Sequence, residues 1–337
     1  MNTNPITPHT RTPHSRMAAH MGRHQARHTT ITRYMQKALI ALLATTLFLV
    51  ACDDDEPRTI SVPQSSQNSN DTEQEFYSGR LEIPRLKGGN NLFVVHSTAQ
   101  HGVNYCVEWD CDKRAQRWSA FAMYSTNSTT SWNRNNWRTG ISWMGTSWTA
   151  DPFQEDPDLP AAYRTTLEDY RNSQPHYDRG HICASADRLN SMDANGQTFF
   201  LSNIQPQLNG FNTGTWLNLE NKLRKWNVAS FRDTLYVVKG GTIDNGNTLA
   251  TTSTGLTVPA YFFMAILCKN SKTESQWGYK AIGFWLKHES KNDENLKSYA
   301  VSIDELEEKT GIDFFCNLPD EIEEVVEKNL VTSVWQL

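Results

Sequence analysis

The chain has 337 residues, of which 38% are hydrophobic, 20% charged and 11% aromatic, a composition that supports a large packed core and excludes both a disulfide-stapled miniprotein and a disordered chain. Its formal net charge of -5 hides an asymmetry, because residues 1–51 carry six Lys/Arg and no acid, leaving 26 basic against 37 acidic residues in the rest. A body with a net charge of -11 has no general attraction for nucleic acid or anionic lipid, so any phosphate chemistry must rest on a local positive site or a metal.

The basic leader ends at Lys37 and is followed by residues 38–51, fourteen uncharged and mostly apolar positions. That is short of the ~20 residues a membrane-spanning helix needs and suits the core of a signal peptide. The run closes in Leu49-Val50-Ala51-Cys52, which resembles a bacterial lipobox. The resemblance implies lipidation of Cys52 and an extracytoplasmic lipoprotein, in the outer membrane, the periplasm or facing the surface. Met35 would open a signal peptide of ordinary length, so residues 1–34 read as an over-extended start. Residues 53–75, acidic and then polar, read as a disordered tether, and the folded domain is expected over 76–337.

Within that domain, residues 81–84 and 92–96 read as short strands joined by a turn at 87–90, and 105–110 and 118–124 as a second pair. Residues 125–169 form a long polar segment carrying Trp132, Trp137, Trp143 and Trp148, an irregular loop that buries several rings. The runs 233–239, 261–268 and 279–286 have the continuous apolar character of strands covered on both faces. Ser302 with Glu305 makes a capping box for a helix ending near Gly311, and 318–328 is a further amphipathic helix. Strands and helices alternate without β-α-β spacing, so the expected class is α+β, a central antiparallel β-sheet flanked by helices. Cys106, Cys111, Cys183, Cys268 and Cys316 are odd in number, so at most two disulfides can form. The spacing of Cys106 and Cys111 is too wide for a zinc knuckle and leaves a local disulfide or two reduced core thiols open. His96 and His101 carry no motif and are expected to be structural or exposed.

Chemistry concentrates at His176-Tyr177-Asp178-Arg179-Gly180-His181, where an acid, a guanidinium and an imidazole end an extended segment. Residues 212–224 read as a helix on which Asn212, Trp216, Glu220 and Arg224, four apart, fall along one face. An Asn carbonyl and a carboxylate are hard oxygen donors suited to Mg²⁺. A neutral His beside such an ion can take a proton from water, and arginines supply positive charge for a phosphorane-like transition state. Together these groups describe metal-assisted phosphodiester hydrolysis.

Asp178-Arg179-Gly180-His181, then Ala186-Asp187-Arg188, Ser202-Asn203-Ile204 with Pro206-Gln207, and Asn212-x-Gly214-x-Trp216-x-x-Leu219-Glu220 with Arg224, resemble the DNA/RNA non-specific endonucleases of the ββα-metal (His-Me finger) superfamily. The resemblance implies a ββα-metal finger active site in which His181 is the general base and Asn212 the direct protein ligand of Mg²⁺, with Mn²⁺ as a possible substitute. By the same resemblance Glu220 holds a metal-bound water, Arg224 contacts the scissile phosphate and Arg179 assists substrate binding. Asp178 would order the motif and Asn203 would hold its loop. DNA and RNA are the implied substrates. Two departures stand out. The stretch 146–152 lacks an arginine that relatives carry, leaving Arg134 or Arg138 of the Trp-rich loop to supply it, and Met264 occupies the place of a lysine common on a late strand. The first departure motivates an alternative, a catalytically impaired nucleic-acid-binding surface lipoprotein of the same fold.

Overall fold

The computed structural model describes residues 67–70, 79–144, 146–147, 151–244, 246–273, 275–290 and 295–337. The leader, Cys52, most of the 53–75 stretch and Trp148 lie outside the described residues. A meander of β1 (Asn91–Thr98), β2 (Gly102–Asp110) and β3 (Ala115–Tyr124) opens the domain. The Trp-rich loop follows with β4 (Ser142–Trp143), β5 (Thr146–Ser147) and the short helix α1 (Leu167–Arg171). Next come β6 (Asp178–His181), α2 (Met192–Gln197), β7 (Ile204–Gln207) and α3 (Leu217–Trp226). The second half holds β8 (Thr234–Gly241), β9 (Thr248–Thr251), β10 (Thr257–Pro259), β11 (Tyr261–Lys269), β12 (Tyr279–Lys287) and β13 (Ala300–Val301). Helices α4 (Ile303–Thr310) and α5 (Asp320–Lys328) complete it.

Seven strands form one antiparallel sheet in the order β1-β2-β3-β8-β11-β12-β13. Their side chains alternate between two apolar layers, as a strand period of two requires. Leu235 and Val237 of β8 and Phe262, Met264 and Ile266 of β11 pack with Trp216, Leu219 and Leu223 beneath α3. Val238, Phe263, Ala265 and Leu267 instead meet Ile303, Leu306, Ile322 and Val326 of α4 and α5 on the opposite face. Covering both faces explains why these strands are apolar without a break. The architecture is the α+β class expected, with the candidate site on the α3 face and the C-terminal helix pair on the other.

Several local expectations change. Residues 81–84 form a turn rather than a strand: Ile83 is fully buried, its N–H bonds back to Arg80, and Arg85 N–H reaches the carbonyl of Asp313 instead of a ladder partner. Within the stretch read as a tether, residues 67–70 pack on the domain. The Asn70 side chain is 4% exposed, donates to the Pro84 carbonyl at 3.1 Å and accepts from Leu86 N–H at 3.0 Å, so its polar groups are satisfied without solvent. The five cysteines after Cys52 are free and buried, which selects the reduced-thiol alternative. Helix α4 begins at Ser302, whose hydroxyl accepts from Glu305 N–H, and stops at Gly311 with φ +67°, a left-handed position that favours glycine. No helix among the described residues is long and apolar enough to cross a membrane.

His96 of β1 is structural, and the reason is electrostatic. Its ring is buried, with Nε2 3.1 Å from an Asp156 oxygen and Nδ1 3.3 Å from an Asp158 oxygen, although neither N–H points straight at its acceptor. Burial alone would lower its pKa, but the two carboxylates prevail and raise it to about 9. The imidazolium therefore pins the 153–160 segment to the sheet. A raised folded-state pKa means the stabilisation is fully present below pH ~6.5 and disappears as pH climbs through about 9. Urea unfolding at the two ends of that window should show wild type losing on the order of 2–3 kcal/mol more than His96→Gln. Parallel pH profiles for the two proteins would refute the pairing.

Candidate active site

The Asp178–His181 motif is a strand because it pairs antiparallel with β7, residue for residue from Asp178↔Gln207 to His181↔Ile204. Gly180 is required by close approach: a Cβ there would sit 2.2 Å from Cδ of the buried Gln207 side chain. Beyond the strand, Asn203 holds the loop with four hydrogen bonds. Its Oδ1 accepts from Cys183 N–H at 2.8 Å and Ser119 Oγ at 3.1 Å, while Nδ2 donates to the carbonyls of Cys183 at 2.8 Å and Thr198 at 2.9 Å. An amide has these four capacities and Asn203 uses them all, so its place behind His181 is fixed by hydrogen-bond accounting.

The helix read over 212–224 differs at its start. Residues Phe211–Trp216 form a wide π-type turn kinked at Gly214 (φ -106°, ψ -109°), and regular α3 begins only at Leu217. The face survives the kink. Asn212, Trp216, Glu220 and Arg224 line a single cleft of about 730 Å³ together with Arg179 and His181. Two bonds join this turn to β6. Asn212 Nδ2 donates to Asp178 Oδ2 at 2.9 Å, and the buried Trp216 donates through Nε1 to the His181 carbonyl at 3.2 Å. Asp178 thus faces Asn212, and because a carboxylate only accepts, the amide nitrogen must turn toward it, leaving Asn212 Oδ1 as the donor atom for an ion.

The His181 ring lies against Phe153 and Phe199, with centroids 5.3 and 5.0 Å away, and its Nε2 is buried without a hydrogen-bond partner. Burial, reinforced by the charges of Arg134, Lys239 and Arg179, lowers its pKa to about 3. The imidazole is therefore neutral and can accept a proton. Arg179 is held by Asp151 at 2.8 Å and stacks over Phe153, 4.1 Å from the ring centroid. Arg224 donates to Asp187 at 2.8 Å and to Asn221 at 2.9 Å.

Glu220 is buried, and desolvation raises its pKa, opposed chiefly by the Lys239 ammonium 2.6 Å away. Lys239 was missed as a site residue. It is 0% exposed, follows Leu235 and Val237 on the same face of β8, and lies directly opposite Met264 in the β8–β11 register. The signal was a lysine in the run 233–239 at the parity of two apolar neighbours. Arg134 also enters the cleft, its guanidinium 5.4 Å from the Phe199 centroid, whereas Arg138 is exposed and is not among the lining residues.

These donors fit a hard divalent ion. An amide oxygen left free by its own hydrogen bond and a carboxylate one helical turn beyond Trp216 share the cleft with an unpaired imidazole nitrogen. His96, Asp156 and Asp158 also bring ligand atoms within 4.8 Å of one another, a possible metal-binding group; there the carboxylates sit on opposite nitrogens of one ring, an arrangement that an imidazolium satisfies without an ion.

Residues 89–321 match the description of the DNA/RNA non-specific endonucleases, more than half of the chain. The chain belongs to this family. It is 32% identical over 215 residues to a nuclease of Nostoc sp., a match covering 62% of this chain and 76% of the relative. It is 30% identical over 198 residues to nuclease C1 of Cunninghamella echinulata var. echinulata, covering 52% and 76%. A solved EndoG/EndoGI complex shares the fold at 21% identity and TM-score 0.53, over 68% of this chain and 89% of that one. Membership makes this endonuclease a hydrolase of nucleic acid in a family that is metal-dependent.

Removing one partner from a buried ion pair strands the other. Lys239→Met should therefore lower the unfolding free energy by roughly 3–5 kcal/mol in urea titrations. A loss below about 1 kcal/mol would place the pair in the exposed class.

Proposed function

We propose that the chain is a Mg²⁺-dependent endonuclease that hydrolyses the phosphodiester bonds of both DNA and RNA with little sequence preference. The observation that carries this reading is the meeting in one cleft of a neutral, unpaired imidazole, two hard oxygen donors and three guanidinium groups. Asn212 would hold the ion directly and Glu220 through water, and the ion would supply Lewis acidity for phosphodiester hydrolysis.

His181 takes the proton of the attacking water as its oxygen forms the new bond to phosphorus and the bond to the leaving sugar oxygen breaks. Solvent returns a proton to the leaving oxygen. Arg179, Arg224 and Arg134 face the charge that accumulates on the non-bridging oxygens, where fixed guanidinium donors gain most. Asp178 aims Asn212, Asn203 fixes the loop behind His181, and Lys239 opposes the rise that burial imposes on the Glu220 pKa. Local positive charge at the cleft, against a body that is acidic overall, favours contacts to the backbone phosphate over sequence reading. The reading extends to location: lipidation at Cys52 would tether the enzyme to a membrane outside the cytoplasm, where polymeric nucleic acid from the surroundings is within reach.

Plasmid DNA and RNA should both be degraded with Mg²⁺, be spared in EDTA, and be cut at least ~10²-fold more slowly by His181→Ala. Equal rates for the variant and wild type would reject the assignment of the base; salt-sensitive binding without cleavage under any divalent ion would favour the impaired alternative. If Arg134 supplies the guanidinium absent from 146–152, Arg134→Ala should lower kcat/KM by about 10²-fold while Arg138→Ala leaves it unchanged. Equal effects of the two substitutions would remove Arg134 from the site.

A further inference from the structure

On the face of the sheet away from the endonuclease cleft, α4 and α5 border a second cleft of about 910 Å³ lined chiefly by carboxylates. Ligand oxygens of Asp304, Glu307 and Glu327 lie within 4.8 Å of one another. Asp313 and Glu323 border the same space, Asp320 and Glu324 line it further, and Lys328 is the one lining cation among the described residues. Glu307 Oε1 accepts from Phe314 N–H at 2.7 Å, and Glu323 Oε1 accepts from Asn68 Nδ2 at 2.8 Å. Among the described residues, none of Asp304, Glu307, Glu323 and Glu327 forms an ion pair with a Lys or Arg, the nearby Lys309 being engaged with Glu305.

Glu327 singles this cluster out from an ordinary acidic surface. It is 5% exposed, and its Oε1 is buried with no hydrogen-bond partner. It also lies in the last turn of α5, where the helix dipole disfavours negative charge. A group buried at this cost, with neither a cation nor a donor, calls for one of the two.

We propose that the cleft between α4 and α5 is a Ca²⁺ site with Asp304, Glu307 and Glu327 as its protein ligands, separate from the catalytic ion. All available donors are hard oxygens, and the cleft has room for the waters that complete a coordination of six to eight; Mg²⁺, which demands a compact octahedron and dehydrates reluctantly, fits less well. Asn68 bridges Glu323 to Asp313, and Gln67 N–H donates to Asp320 at 2.8 Å, so an ion here would also fix the point at which the N-terminal segment joins the domain.

The test is thermal unfolding of the full-length protein in EDTA and in about 10 mM Ca²⁺, a concentration above the ~10⁻⁴–10⁻³ M Kd of extracellular calcium modules. Ca²⁺ should raise Tm by roughly 5 °C in wild type and equally in Asn212→Ala, whose defect lies at the other site. Glu327→Gln and Glu307→Gln should each abolish the rise while leaving Mg²⁺-supported plasmid digestion unchanged. Should one Gln variant fail to fold, the other carries the comparison. The proposal is overturned by the absence of a Ca²⁺-dependent rise in wild type, by a full rise in a Gln variant, by loss of the rise in Asn212→Ala, or by an equal rise with Mg²⁺. The Tm readout stands whether or not the chain cleaves nucleic acid.

Discussion

The active cleft depends on the bonds that join β6 to the kinked turn before α3. Asp178 accepts from the Asn212 amide, and the His181 carbonyl accepts from the Trp216 indole. Either hydrogen bond alone contributes about 1 kcal/mol net, more where a carboxylate is the acceptor. Their importance is geometric. They bring the backbone that carries His181 and the side chain of Asn212 into register, and the apolar layer under Trp216, Leu219 and Leu223 holds the helix against the sheet while they do so.

Around this joint the charges are arranged by burial. Burial raises the Glu220 pKa, the buried Lys239 lying against it opposes that rise, and the same lysine adds to the field that, with burial, lowers the His181 pKa. Asp151 and Asp187 pair with Arg179 and Arg224, restraining each guanidinium at the edge of the cleft. Each cation is thus partly neutralised by its own acid, which lets a net-acidic protein keep a locally positive site. The opposite face lacks this balance. There, among the described residues, Asp304, Glu307, Glu323 and Glu327 are gathered without ion-pair partners, and the contrast between the two faces is what separates a prepared anion site from a prepared cation site.

Two charges come from elements other than those the resemblance implied. Met264, which the resemblance sets in the place of a lysine, lies directly opposite Lys239 of β8, on the same face of the sheet. The stretch 146–152 has no arginine, and Arg134 enters the cleft from the Trp-rich loop. A site is defined by where charges are in space, and a sheet or a long loop offers several chain positions from which one point can be reached.

The α+β class, the motif segments and six of the seven strands of the sheet were legible in the sequence, because apolar periodicity, capping at Ser302 and Gly311, and the four-residue spacing from Asn212 to Arg224 are local properties; β13, two residues long, has no such period. Within 125–169 Trp143 and Phe153 are buried, whereas Trp132 and Trp137 are half-buried. No local pattern shows that residues 67–70 dock on the domain, that 81–84 is a turn, that His96 is buried between two carboxylates, that Lys239 pairs with Glu220, or that Arg134 lines the cleft. Each of those depends on a partner far away in the chain, such as Asn317 for Asn70, Asp156 for His96 and Glu220 for Lys239. Pairing across such distances is set by how the layers close on one another, which no window of neighbouring residues contains.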